Sequence, residues 1–198
     1  TIYFELTNND YESVVSNMLD KNFPKILPSD KERIRIFCQG FPLLAHKLAK
    51  QLDSGYDNIG TISDESLVKK IIWGNENFDN EEIIVLCACS IFDKIGFYDE
   101  LLNQREFIAR NKSICNLNYD DSASNRKFYE TCNKFLRKGI LERRGRYILM
   151  KPKPLAITLA AKWWEQFPPE EFDNLIIDLA KTGLNQPLCE QFSYLNFL

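Results

Sequence analysis

A tight turn between two short apolar runs constrains this fold more than any other feature of the sequence. Within residues 140–150 the apolar runs flank Arg144–Gly145, which is the pattern of a β-hairpin. Residues 124–138, just before, carry apolar side chains at helical spacing and end at Gly139, so an amphipathic helix leads into the hairpin. Two earlier helices are predicted over residues 80–92 and 97–109. Three helices followed by a hairpin are the order of elements in a winged helix.

The remainder of the chain is predicted to be helical, apart from a short strand over residues 2–6 and a polar surface loop over 111–123. Polar turn residues cluster at 74–80 and mark the best internal boundary. The fold class is therefore mainly α: a small helical bundle, a winged-helix domain, and the start of a further helical region. The predicted limits of these three regions are 1–74, 75–167 and 168–198.

In the first region, helices are predicted from Asn8 or Asn9 to about 20, from Ser29 to Gly40, from Pro42 to about 52, and over 64–73. Ser29 and Glu32 have the spacing of a capping box, and Pro42 suits a first helical turn. Beyond the hairpin, helices are predicted over residues 155–167, 170–182 and 187–197.

Composition excludes several classes of protein. The chain is 44% hydrophobic and 27% charged, which is ordinary for a globular protein and excludes disorder. It has no apolar run that could cross a bilayer, and it does not open on a signal peptide. The six cysteines form no CxxC pair and there is a single histidine, so we expect free thiols, no metal site and a cytoplasmic location. We also expect the chain to be part of a longer protein.

The sequence offers no catalytic residue. Residues 55–62 have the glycine spacing of a phosphate-binding loop, but Thr61 stands where the lysine belongs, so a surface turn is favoured. His46 is favoured as a surface or capping histidine over a catalytic or metal-binding one. Trp163 and Trp164 are favoured as core plus one half-exposed ring over a binding platform. The carboxylates of Glu81–Glu82 are explained by the helix dipole.

Charge is concentrated in residues 126–153, which carry ten basic side chains and two acidic ones, for a net charge of +8. The ten are Arg126, Lys127, Lys134, Arg137, Lys138, Arg143, Arg144, Arg146, Lys151 and Lys153. A basic third helix followed by a basic wing is typical of a DNA-reading winged helix. The same cations could instead contact a nucleotide phosphate, an acidic surface of the protein or a partner, or only solvent.

Residues 37–49 contain Gly40-Phe41-Pro42 followed by an apolar helix, and this stretch resembles the GxP motif of STAND ATPases. These are signal-transduction P-loop NTPases that include innate-immune receptors, apoptosome scaffolds and bacterial antiviral sensors. In that family a helical domain ending with this motif follows the nucleotide-binding core, and a winged helix comes next. The order of elements over residues 1–167 is similar.

The resemblance implies a regulatory role in binding ADP or ATP. Gly40, Phe41 and Pro42 would lie at the nucleotide, with Pro42 against the adenine. Lys151 or Lys153 would stand where several members place a histidine on the diphosphate, which is a departure from the family. The Walker segments and the Mg²⁺ that they bind would belong to a core outside this chain, so the chain itself would not be an enzyme, although the full-length protein would be an ATPase.

The partners that the resemblance implies are the protein's own NTPase core, further copies of itself on activation, and a C-terminal sensor or repeat domain. Signalling in bacterial antiviral defence is the expected context, with no membrane involved. The main alternative is a winged-helix transcriptional regulator that reads DNA with the helix over 124–138 and the arginines of the hairpin. A protein-interaction module without a ligand is the third possibility.

Overall fold

The computed structural model describes residues 8–38, 42–53, 64–74 and 76–195, and the chain divides into two compact units, Thr1–Phe78 and Asp79–Leu198. The predicted fold class is confirmed, because the chain is mainly helical with one small antiparallel sheet in a winged-helix arrangement. The division lies inside the boundary predicted at 74–80. The finer limits of the three predicted regions stay predictions.

The described residues of the first unit form four helices: α1 (Asn8–Asn22), α2 (Pro28–Cys38), α3 (Pro42–Asp53) and α4 (Asp64–Trp73). The first three pack against one another around a core that includes Val15, Leu19, Ile34 and Leu48, all at most 2% exposed. An ion pair of 2.9 Å between the Lys31 ammonium and the Asp20 carboxylate also joins α2 to α1. The predicted strand over 2–6 lies outside the described residues.

The second unit begins with the elements of a winged helix. In chain order they are α5 (Asn80–Ser90), β1 (Ile95–Gly96), a 3₁₀ turn (Asp99–Leu101), α6 (Leu102–Arg110), α7 (Asp121–Lys138), β2 (Leu141–Arg144) and β3 (Tyr147–Met150). The sheet has the order β1-β3-β2 and is antiparallel throughout. Gly145, with φ of +61°, provides the left-handed conformation that the two-residue turn between β2 and β3 requires.

Helix α5 is the centre of this unit. All of its residues from Val85 to Ser90 are buried, as expected for a helix that is apolar on every side. It packs against α7 and most closely against α8 (Lys153–Gln166). Two further helices follow, α9 (Phe172–Thr182), preceded by a 3₁₀ turn at Pro169–Glu171, and α10 (Asn185–Leu195). Helix α9 contacts α6, and α10 contacts α8, so both belong to the same compact unit.

Two details differ from the sequence-based expectation. The helix predicted over 97–109 begins only at Leu102, because β1 and a 3₁₀ turn occupy the residues before it. The segment predicted as a polar surface loop over 111–123 buries the side chains of Ile114, Cys115 and Leu117, and α7 already begins at Asp121. No helix among the described ranges is both long and apolar enough to cross a membrane.

Candidate functional site

The candidate site is the basic helix α7 together with the wing formed by β2 and β3. Helix α7 begins with the Asp120 carboxylate, which accepts a hydrogen bond of 2.8 Å from the backbone N–H of Ala123. It ends at Gly139, whose φ of +73° allows the left-handed C-cap. The buried face of the helix carries Phe128, Cys132 and Phe135, so its basic side chains lie along the remaining faces.

Two lysines of α7 are held by the first turn of α5. The Lys127 ammonium lies 2.6 Å from a Glu81 oxygen and 3.5 Å from an Asp79 oxygen. Two helical turns later, the Lys134 ammonium lies 2.6 Å from an oxygen of the buried Glu82. These carboxylates were explained above by the helix dipole alone, and the structure adds direct pairing with the third helix.

These contacts lower the pKa of the Glu81 and Asp79 carboxyls. Hydrogen bonds from the Lys127 ammonium and from the Tyr119 hydroxyl, the latter 2.6 Å long, lower the pKa of Glu81. Burial raises the pKa of Asp79, but hydrogen bonds from the backbone N–H groups of Glu81 and Glu82 and the charge of Lys127 outweigh it, so that pKa is lowered as well. The hydrogen bond with Glu81 in turn raises the pKa of Lys127.

We expect the Lys127→Met substitution to lower the free energy of unfolding by less than about 1 kcal/mol at neutral pH, since the pair is partly exposed to solvent. Because the folded-state pKa values of Asp79 and Glu81 are lowered, their contribution is complete above the unfolded pKa values near 4 and is lost as the pH falls through the folded values. Urea unfolding should therefore give a difference between variant and parent at pH 7 that disappears by about pH 2.

The control for this substitution is Lys112→Met, which changes the same charge at an exposed lysine. In the described part of the chain Lys112 makes no ion pair, so its replacement should leave the pH dependence of unfolding unchanged. A Lys127 variant with the same pH profile as the Lys112 variant would contradict the network.

The cations of the wing are also engaged. The Glu142 carboxylate accepts a hydrogen bond of 2.7 Å from Arg144 and pairs with the Lys151 ammonium at 2.9 Å. Both contacts lower the pKa of Glu142, and the hydrogen bond from Lys151 has the larger effect. Arg146 pairs with Glu100 at 2.6 Å. The Arg143 guanidinium lies 3.9 Å from the ring centre of Tyr98, in a cation–π contact.

Lys153 lies at the first residue of α8 and is held from two directions. Its ammonium lies 2.8 Å from an oxygen of Asp93 and donates a hydrogen bond of 2.7 Å to the amide oxygen of the buried Gln191 on α10. The lysine therefore connects the end of the hairpin to α10. As a phosphate ligand it would exchange these two contacts for the anion.

The other predicted site residues belong to the first unit. Gly40 and Phe41 lie outside the described residues, as does the glycine-spaced segment over 55–62. Pro42 is the half-buried first residue of α3 in the first unit, as its helix-starting role predicts. His46 is exposed, and its ring meets that of Phe23 edge-on at 5.2 Å.

The arrangement removes most of the charge that the sequence places on this segment. Six carboxylates contributed by residues 79–100 lie within 4.0 Å of its cations, which reduces the formal charge from +8 to +2. Two cations of the segment that lie on α7 are exposed and make no contact with these six carboxylates. The side chain of Arg126 is 81% exposed, with a 3.5 Å contact to Glu130, and Arg137 is exposed without an ion pair in the described ranges.

The cysteines do not add chemistry to this site. All six are free, and five of them are buried. Burial raises the pKa of Cys87 to about 12 and also raises that of Cys115, so these thiols stay protonated at neutral pH and are poor nucleophiles. Across the described ranges, no three side chains of metal-ligating type converge on a common point.

Sequence reasoning missed the aromatic partner of the wing, Tyr98, and the carboxylates that neutralise the basic segment. Comparison of the chain with protein-family models, with curated proteins and with solved structures finds no match.

Proposed function

We propose that this chain is the regulatory helical and winged-helix portion of a STAND-type signalling NTPase that acts in bacterial antiviral defence. In this role it responds to bound ADP or ATP and controls assembly of the protein into an oligomer in the cytoplasm. ATP hydrolysis and Mg²⁺ binding belong to a P-loop core on other residues of the full-length protein. A sensor or repeat domain follows on the C-terminal side.

The observation that carries this proposal is that most cations of the basic segment, residues 126–153, form ion pairs with carboxylates of the same chain. Besides the exposed Arg126, six of its ten cations lie within 4.0 Å of a carboxylate among the described residues. A DNA-reading winged helix needs free cations along its recognition helix and wing, because phosphate contacts supply most of the affinity. Cations that are already paired suit a module that forms and breaks contacts within its own protein.

The resemblance to STAND ATPases indicates which residues would contact the nucleotide. The GxP stretch precedes a winged helix, and Pro42 occupies the first turn of its helix, where proline presents a rigid apolar ring without an N–H group. Lys153 follows the hairpin at the start of α8, the place at which the family's diphosphate contact is expected.

The first test is at the level of the gene. Under the proposal, the codons upstream of Thr1 encode a strand, a GxxxxGK[ST] segment and a helix, followed by an acidic Walker B strand. A start codon at Thr1, or an unrelated domain upstream, would disprove it.

The second test measures the nucleotide that the purified full-length protein retains. The Pro42→Ala substitution is expected to lower the retained ADP several-fold, because the adenine loses its rigid apolar contact. Pro28→Ala is the matched control, since Pro28 likewise opens a helix, α2, and is exposed. Equal retention by the two variants would contradict the role of Pro42.

A transcriptional regulator is the second candidate, and the exposed Arg126 and Arg137 on α7 favour it. With one phosphate contact each from the exposed Arg126 and Arg137, we expect the affinity for duplex DNA to fall with a logarithmic salt slope of about −2. A slope of about −6 or steeper that is reduced by replacing Arg126 and Arg137 with alanine would establish DNA reading instead.

A further inference from the structure

The C-terminal helices carry an exposed aromatic cluster that the basic segment does not explain. Trp164 of α8 lies at its centre, with ring centres of Phe172 on α9 at 6.0 Å and of Phe192 on α10 at 5.5 Å. Phe172 is 41% exposed and Phe192 is 45% exposed. We call these three residues the aromatic face.

Three separate elements build the aromatic face, and its base is fixed. Beside Trp164, the indole N–H of Trp163 donates a hydrogen bond of 3.0 Å to the backbone oxygen of Ile114. The Trp163 ring stacks on Phe167 at 4.6 Å, and Phe167 is buried. The exposed rings are therefore presented on a rigid support, which reduces the entropy lost when a partner binds.

The sequence that carries the aromatic face is rich in carboxylates. Residues 162–198 contain six carboxylates and two cations, Lys162 and Lys181. Lys181 pairs with Asp178 at 2.7 Å. Glu165 and Asp173, the sequence neighbours of Trp164 and Phe172, are exposed and make no ion pair or hydrogen bond within the described residues.

Aromatic rings with two unpaired carboxylates beside them in the sequence are complementary to a segment that is both apolar and cationic. Apolar side chains of such a segment would cover the exposed rings, and its lysines or arginines would meet the carboxylates. A helix with a 3.6-residue period places both kinds of side chain on adjacent faces. We propose that the aromatic face is a docking surface for a basic amphipathic helix of a partner protein.

The probe is a fluorescein-labelled helical peptide of lysine and leucine with one cationic and one apolar face, titrated with the 198-residue chain and followed by anisotropy. We expect micromolar binding that weakens at least about tenfold in the Phe172→Ala/Phe192→Ala double variant. Binding should also weaken with added salt and in the Glu165→Gln/Asp173→Asn variant, which leaves the rings in place.

The matched control is Phe78→Ala in the first unit. Phe78 is 40% exposed and meets Trp73 edge-on at 5.0 Å, so it repeats the local geometry of Phe192 and Trp164, but the Lys69 ammonium already covers its ring at 4.4 Å from the ring centre. We expect this variant to bind the peptide as the parent does. Thermal melting establishes that each variant is folded. If the double aromatic variant does not fold, the Glu165→Gln/Asp173→Asn variant still tests the surface.

Three outcomes would overturn the proposal. Equal binding of a peptide with glutamate in place of lysine would exclude charge complementarity. Equal loss in the Phe78 variant and in the Phe172/Phe192 variant would exclude a specific surface. A concentration-dependent dimer in sedimentation velocity that the double aromatic substitution abolishes would assign the aromatic face to a second copy of this chain.

Discussion

The Phe128→Ala substitution is expected to lower the free energy of unfolding of the second unit by about 3–5 kcal/mol. Phe128 has no exposed surface and lies on the inner face of α7, where that helix packs against α5 and α6. Removing its ring forfeits the transfer free energy of the buried atoms and leaves a cavity that rigid neighbouring helices close only in part. Urea unfolding followed by circular dichroism measures the change.

The adjacent residue provides the control. Tyr129 is 41% exposed and stacks on Phe97 at a ring-centre distance of 5.8 Å. Its replacement with alanine should cost about 1 kcal/mol, the value of one aromatic pair at a half-exposed position. Equal losses for the two substitutions would mean that α7 does not present the inner and outer faces described here.

The sequence also predicts the inner face and the C-terminal end of helix α7, although the helix begins at Asp121, three residues before the predicted start at 124. Its apolar side chains recur at helical spacing, and a glycine follows it, so local sequence alone indicates both its face and its C-terminal end. The hairpin is equally local, since the turn at Gly145 joins strands only four residues long. The predicted helix over 64–73 has the observed bounds of α4.

Features that depend on distant residues could not be predicted in this way. Strand β1 contains two residues, Ile95 and Gly96, and it exists only because they pair with β3, some fifty positions later. Polar composition around Ile114 and Leu117 concealed the fact that their side chains are buried. Local patterns carry no information on such contacts.

The candidate site shows the same limit. The positions of its cations follow from the sequence, but the pairing of Lys127 and Lys134 with Glu81 and Glu82 joins residues about fifty apart. A net charge of +8 counted along the sequence therefore overstated the charge available to a ligand. The exposed rings of Phe172 and Phe192 were also not identified, because only tertiary packing places them beside Trp164.

The short strand β1 leads to the second large expected effect, that of Gly96→Ala. A β-carbon built at Gly96 would lie 2.5 Å from the β-carbon of Leu101 and 2.6 Å from the amide oxygen of Gln104. That oxygen accepts a hydrogen bond of 2.7 Å from the Gly96 N–H, and the Gln104 amide N–H₂ donates one of 3.0 Å to the carbonyl of Thr182 at the end of α9. A methyl group at residue 96 must therefore displace the residue that connects β1 to α9.

We expect Gly96→Ala to lower the free energy of unfolding by about 3 kcal/mol, from overpacking and from the buried hydrogen bonds that are lost with it. Gly145→Ala is the control, because a β-carbon there meets no atom within 4 Å and only the positive φ of +61° opposes it. That variant should lose about 1 kcal/mol. Hydrogen exchange adds a local readout, since the Gly96 amide should lose protection together with the last turn of α9 in the first variant alone. Similar losses in both variants would indicate that backbone conformation, and not the approach of Gln104, explains the glycine at residue 96.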